Sequence, residues 1–132
     1  MKYRILVLSL LLASLTFCSS PKDEIVEILD RREKALEQGD LSLYLSCISQ
    51  NYQDEEKDFA AIRQKVAGSI GSLPGVELSF SDRSIYFEGE LATVYQKVIL
   101  RVDVGGKKKS FSDRERLTLA REEGGWKIIK GL

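Results

Sequence analysis

The chain has 132 residues, 43% of them hydrophobic and 30% charged, with 20 basic side chains against 20 acidic ones. That is enough for one small domain, and the balanced charge lacks the broad basic surface that non-specific nucleic-acid binding needs. There is no histidine, which removes Ser/His/Asp and Cys/His catalysis and every imidazole metal site.

Lys2 and Arg4 precede an uncharged run from Ile5 to Phe17, the pattern of a basic n-region and an apolar h-region of a secretory signal. Ser19, Ser20, Pro21 and Lys22 end the run before the roughly 20 apolar residues that a membrane-spanning helix needs. Residues 1–17 are read as a signal peptide, 18–22 as an anchor or linker, and 23–132 as the folded domain. Leu15-Thr16-Phe17-Cys18 resembles a bacterial lipobox, although Phe17 stands where a lipobox carries a small residue. The resemblance implies acylation of Cys18, attachment to the membrane through it and, with Ser19 following, an outer-membrane lipoprotein facing the periplasm. Ordinary cleavage would leave a soluble periplasmic or secreted protein. The other thiol, Cys47, reads as a small buried hydrophobe, or as the partner of Cys18 in a disulfide if Cys18 escapes acylation.

Ser20 as N-cap, Pro21 at the first helical position and Asp23 two residues later form a helix start, and Ile25, Ile28, Leu29, Ala35 and Leu36 recur at helical spacing up to Gly39. A first helix from about Pro21 to Gln38 follows. Asp40 caps a shorter second helix with Leu41, Tyr44, Leu45 and Ile48 on one stripe. After a polar break from Asn51 to Glu56, Phe59, Ile62, Val66 and Ile70 make a third helix that stops at Gly71 and Pro74. The acidic residues Asp54, Glu55, Glu56 and Asp58 suit its N-terminus and lack the spacing of a calcium loop, so neither a metal nor a cofactor is expected.

From Val76 the period becomes two. Leu91 to Val104 alternates most clearly, with Ala92, Val94, Val98, Leu100, Val102 and Val104 on one face and Gln96 interrupting them. A two-residue loop at Gly105-Gly106 would set Leu100 opposite Phe111, Val94 opposite Leu117 and Ala92 opposite Leu119. A one-residue slip would oppose the valines to Ser112, Arg114 and Arg116 instead. The turn at Gly89-Glu90 likewise pairs Ile85 with Val94 and Phe87 with Ala92. Upstream, Val76, Leu78 and Phe80 are even-numbered whereas Ile85 and Phe87 are odd, which requires a β-bulge near Ser81-Asp82-Arg83. For the last strand, Trp126 to Leu132, two-residue and three-residue loops place Trp126 on opposite faces.

Three helices before a long bent meander, with Ala35-Leu36-Glu37-Gln38-Gly39-Asp40-Leu41, Gly89-Glu90-Leu91-Ala92-Thr93-Val94 and Arg116-Leu117-Thr118-Leu119 followed by Gly124-Gly125-Trp126-Lys127-Ile128, resemble the nuclear transport factor 2-like superfamily, which includes SnoaL-like cyclases and ketosteroid isomerases. The resemblance implies an α+β cone with helices on the concave face of the sheet, a pocket between them, and frequent homodimerisation through the convex face. The isomerase branch uses a Tyr and two acidic residues. Tyr44 and Tyr52 are available here, but no catalytic assignment carries over to this sequence, and the fold alone does not fix an activity.

The informative anomaly is polar material on the apolar face. The register sets Gln96 opposite Glu115, Val98 opposite Asp113 and Arg83 opposite Gln96, so Arg83, Gln96 and Glu115 should form one polar row that is internally paired, hydrated or open to a ligand. With Tyr52, although a tyrosine at such a place is more often a core ring with its hydroxyl at the edge, these are the pocket candidates. Three readings follow. The first is a non-enzymatic, lipid-anchored envelope domain binding a small apolar or amphipathic molecule or a protein partner. The second is an enzyme of the SnoaL or isomerase kind, with Glu115 or Asp113 as base and Tyr52 as hydrogen-bond donor. The third is a dimerising accessory subunit with no functional pocket.

Overall fold

In the computed structural model, which describes residues 18–71 and 76–132, Ser20 caps helix α1 (Pro21–Gln38). The Ser20 hydroxyl accepts from the Asp23 amide and the Asp23 carboxylate accepts from the Ser20 amide, a reciprocal capping box. The signal-peptide residues 1–17, including Phe17, and Pro74 lie outside the described residues. At the other end of α1, Gly39 takes a left-handed conformation at φ 67°, and a Cβ there would approach the Gly71 Cα to 3.2 Å. Glycine therefore serves both the turn and the close contact between the ends of two helices.

Helix α2 (Leu41–Leu45) is shorter than its apolar stripe predicts. Cys47 and Ile48 leave the helix to dock on the edge of the sheet: Ile128 N–H donates to Cys47 C=O and Ser49 N–H donates to Ile128 C=O. Sheet pairing competes with the helical ladder for these backbone groups, and the pairing prevails. The polar break contains a small hairpin, β1 (Gln53–Asp54) and β2 (Lys57–Asp58), with Glu55 at φ 52°. Asp58 then caps α3 (Phe59–Ser69).

The four long strands, β3 (Val76–Glu88), β4 (Leu91–Val104), β5 (Lys107–Glu122) and β6 (Gly125–Lys130), form one antiparallel meander in chain order. The expected registers hold. Leu100 faces Phe111, Val94 faces Leu117 and Ala92 faces Leu119, while Ile85 faces Val94 and Phe87 faces Ala92. The bulge falls between Ser81 and Ser84, with Asp82 at φ 51°, and restores the apolar residues on both sides of it to one face. A two-residue loop joins β5 to β6, so Trp126 stands opposite Arg121 and turns inward. At the end of β6, Gly131 has φ 102°, and a Cβ there would come within 2.1 Å of the Arg116 carbonyl oxygen.

The core lies between α1, α2 and α3 on one side and the concave face of the sheet on the other. Ile25, Ile62, Leu117, Leu119, Val94 and Ile128 are fully enclosed. The distal half of the β4–β5 hairpin runs past the helices, and its apolar face is left uncovered: Val104 is 56% exposed and Phe111 57% exposed. Cys18 and Cys47 are both free thiols, which sets aside the disulfide alternative. Burial raises the proton affinity of the Cys47 thiol, with no accessible surface left on the residue.

Two measurements check this packing. Leu119→Ala should lower the unfolding free energy by about 2–5 kcal/mol in chemical denaturation, the range for an enclosed leucine. In the native protein at about pH 8, Cys47 should resist a thiol reagent that modifies it readily once the chain is unfolded.

Candidate functional site

Position 32 lies on the buried stripe of α1 with Ile25, Ile28, Leu29 and Ala35, and it holds an arginine only 7% exposed. A guanidinium cannot stay charged there without partners. Its Nη1 donates to Glu115 Oε2 at 3.0 Å and its Nη2 to Glu115 Oε1 at 2.7 Å, a two-pronged pair across 83 positions of sequence. The rings of Tyr44 and Phe80 lie 5.7 and 5.3 Å from the guanidinium carbon. Burial by itself would loosen the proton, and the surrounding Tyr44 and Glu115 reverse that, so Arg32 stays charged. Among the described residues its Nε alone is a buried side-chain nitrogen without a partner.

The row Arg83, Gln96 and Glu115 is brought together as the register requires. Gln96 Nε2 donates to Glu115 Oε2 at 2.7 Å, and Arg83 Nε donates to Gln96 Oε1 at 3.1 Å. Arg83 then reaches outward to Asp30 Oδ1 at 3.0 Å. The result is one continuous network, Asp30–Arg83–Gln96–Glu115–Arg32, anchored at both ends on α1 and threaded through β3, β4 and β5. The bulge matters to it: Arg83 lies within the irregularity, and the shift turns its side chain to the same face as Gln96.

Sequence reasoning missed Arg32 and Asp30. The signal for Arg32 was present, because a charged residue on the apolar stripe of a helix needs a buried counter-charge. Asp30 is largely exposed on α1, and its position carries no comparable pattern.

Tyr52 and Asp113 do not join the network. Tyr52 is enclosed, and its hydroxyl both donates to Leu132 C=O at 3.3 Å and accepts from Leu132 N–H at 2.9 Å, tying the end of the chain to the core. Burial raises its proton affinity, against the smaller opposing effect of the hydrogen bond with Leu132. Asp113 stands opposite Val98 as expected but is exposed, and its carboxylate accepts from the Arg114 amide. The arrangement assumed in the isomerase-type reading, a free carboxylate and a tyrosine hydroxyl converging on one atom, is not formed by these residues. Glu115 oxygens already accept three side-chain hydrogen bonds.

The open space lies at the mouth of the cone. Leu36, Ile70, Val76, Leu78 and Leu100 line a cavity of about 510 Å³ between the C-terminal ends of α1 and α3 and the start of β3, with Glu37 and Ser79 at its border. Among the described residues no cluster of His, Cys, Asp and Glu could hold a metal ion. No described helix is long and apolar enough to cross a membrane.

Solved structures reproduce this architecture. An NTF2-like protein with a cystatin-like fold from Novosphingobium aromaticivorans superposes with a TM-score of 0.73 at 21% identity, over 84% of this chain and 79% of that one. The fold is NTF2-like. A candidate dehydratase of the NTF2-like family from Streptomyces avermitilis gives a TM-score of 0.70 at 12% identity, covering 84% and 93% of the two chains. A candidate ketosteroid isomerase from Shewanella frigidimarina gives 0.68 at 17% identity, covering 85% and 95%. No protein-family model and no curated protein matches the sequence.

Removing one partner of the buried pair should be costly. Arg32→Met is expected to destabilise the domain by about 3–5 kcal/mol, because Glu115 loses its counter-ion in a half-enclosed site. Adding Glu115→Gln should recover much of that loss, since the neutral amide needs no cation. Denaturant titration of the single and double variants measures both effects.

Proposed function

We propose that this NTF2-like domain is a non-catalytic binding module of the bacterial envelope, held at the membrane through acylated Cys18, that takes a small apolar or amphipathic molecule at the mouth of its cone. The observation that carries the reading is the division of labour inside the concave face. Its buried polar groups are engaged with one another, while the apolar walls at the mouth face a cavity of about 510 Å³, inside the usual range for small-molecule sites.

A general base needs a carboxylate oxygen free to accept the substrate's proton. Glu115 is committed to Arg32 and Gln96, and Tyr52 is committed to Leu132. A binder needs only the apolar walls and a few polar groups at the rim, and Leu36, Ile70, Val76, Leu78 and Leu100 with Glu37 and Ser79 supply these. The exposed Phe111, paired across the hairpin with Leu100, extends the apolar surface outward from the mouth.

Native mass spectrometry of the protein purified from the membrane fraction should show a retained small molecule in addition to the acyl adduct on Cys18. Leu78→Glu, which places a charge in the mouth, should abolish the small-molecule adduct and leave the acyl mass unchanged. A cavity that carries nothing in the native protein, or an adduct indifferent to Leu78→Glu, would defeat the reading.

A further inference from the structure

The convex face of the sheet, on the far side of the same strands, gathers three cations, Lys97, Arg114 and Arg116, around two tyrosines, while the acidic residues Glu77 and Asp103 stand opposite other cations, Arg101 and Lys108. β4 and β5 set Lys97 directly opposite Arg114 and Tyr95 directly opposite Arg116, and β3 brings Ser84 beside Tyr95 and Tyr86 beside Thr93. Like charges directly opposed on one sheet face repel. Other arginines of the sheet have side-chain partners: Arg83 has Asp30, Arg121 has Glu24, and Arg101 has the Ser79 hydroxyl. Among the described residues Lys97, Arg114 and Arg116 make no ion pair, and Arg116 rests 5.7 Å over the Tyr95 ring.

Tyr86 and Tyr95 are 61% and 43% exposed, and their rings meet edge to face with centroids 6.0 Å apart. With Ser84, Thr93 and Arg114 they border a shallow depression of about 480 Å³. Its border thus combines two aromatic rings, two hydroxyls and a guanidinium with a lysine alongside. The alternate residues of β4, Ala92, Val94 and Gln96, are buried beneath it, which gives the depression a rigid base.

We propose that this depression binds a small ring-bearing anion, a carboxylate or phosphate monoester whose ring packs on Tyr86 and Tyr95 and whose anionic group is held by Arg114 and Lys97. A guanidinium presents a planar fork of donors matched to both anionic groups, and bound anion would relieve the repulsion between the facing cations. Tyrosine rings prefer a ring partner to water and offer it either a face or an edge. The superfamily resemblance implies a second copy on this face. A two-fold axis through Lys97, Arg114 and Arg116 would set these cations against their own copies, which disfavours a contact centred on them and leaves the local charge matched to an anionic ligand. The site lies on the opposite face from the mouth cavity and does not depend on the function proposed for it.

The test is titration of the ¹⁵N-labelled protein with phenyl phosphate, benzoate, inorganic phosphate and phenol, followed by amide chemical shifts. Phenyl phosphate or benzoate should move the Thr93, Tyr95 and Arg114 amides saturably with a dissociation constant of about 1 mM or tighter, and inorganic phosphate and phenol should each bind about tenfold more weakly. Arg114→Gln and, separately, Lys97→Gln should weaken binding of the ring-bearing anion about tenfold or more without changing the melting temperature. The proposal fails if neither ring-bearing anion shifts these amides, if either binds no better than inorganic phosphate or phenol, or if the shifts survive both substitutions. It also fails if they gather at Leu36, Ile70 and Leu78, or if sedimentation shows a dimer that buries Tyr86 and Tyr95.

Discussion

A single buried guanidinium organises this domain. Arg32 sits among Ile28, Leu29 and Ala35 on the inner side of α1, where an unpaired charge would cost several kcal/mol in lost hydration. The fold meets that cost with Glu115 on β5, two-pronged and in hydrogen-bond geometry, and with the nearby rings of Tyr44 and Phe80. Apolar contacts tolerate sliding because they are not directional, whereas a two-pronged pair fixes both distance and angle. The pair therefore sets how α1 lies across the sheet. Gln96 and Arg83 extend that constraint to β4 and β3.

This constraint also shapes what the concave face can offer a ligand. Side chains that could have formed a reactive centre are engaged with each other inside, and the open apolar surface lies where the β4–β5 hairpin outruns the helices. Structures of this fold carry names as different as a candidate dehydratase and a candidate ketosteroid isomerase, and the backbone alone does not fix an activity. This chain has an apolar mouth on one face and an aromatic, cationic depression on the other.

Much of the fold was legible in the sequence because it depends on local or periodic features. The Ser20 cap, the Gly39 stop, the parity of Ala92, Val94, Val98 and Leu100 against Phe111, Leu117 and Leu119, and the parity break near Asp82 each belong to one element or to one turn and its two strands. A slip in register would invert every side chain at once, so the apolar pattern specifies the pairing strongly. The polar row from Arg83 through Gln96 to Glu115 followed from the same parity.

Tertiary structure alone decided the rest, because those features join segments with no shared period. The inward turn of Trp126 depended on whether the last loop holds two or three residues, and its indole N–H then finds Glu24 on α1, 102 positions away. Tyr52 could have been a pocket residue until its hydroxyl met the backbone of Leu132. Cys47 and Ile48 fit a helical stripe until the edge of β6 offered their backbone a better ladder. Composition and periodicity determined an α+β chain with a bent meander and a charged rung on its oily face. Only packing α1 against that face could supply the arginine that neutralises the rung, since a buried charge chooses its partner by proximity in space and leaves no regular spacing between the two in the chain.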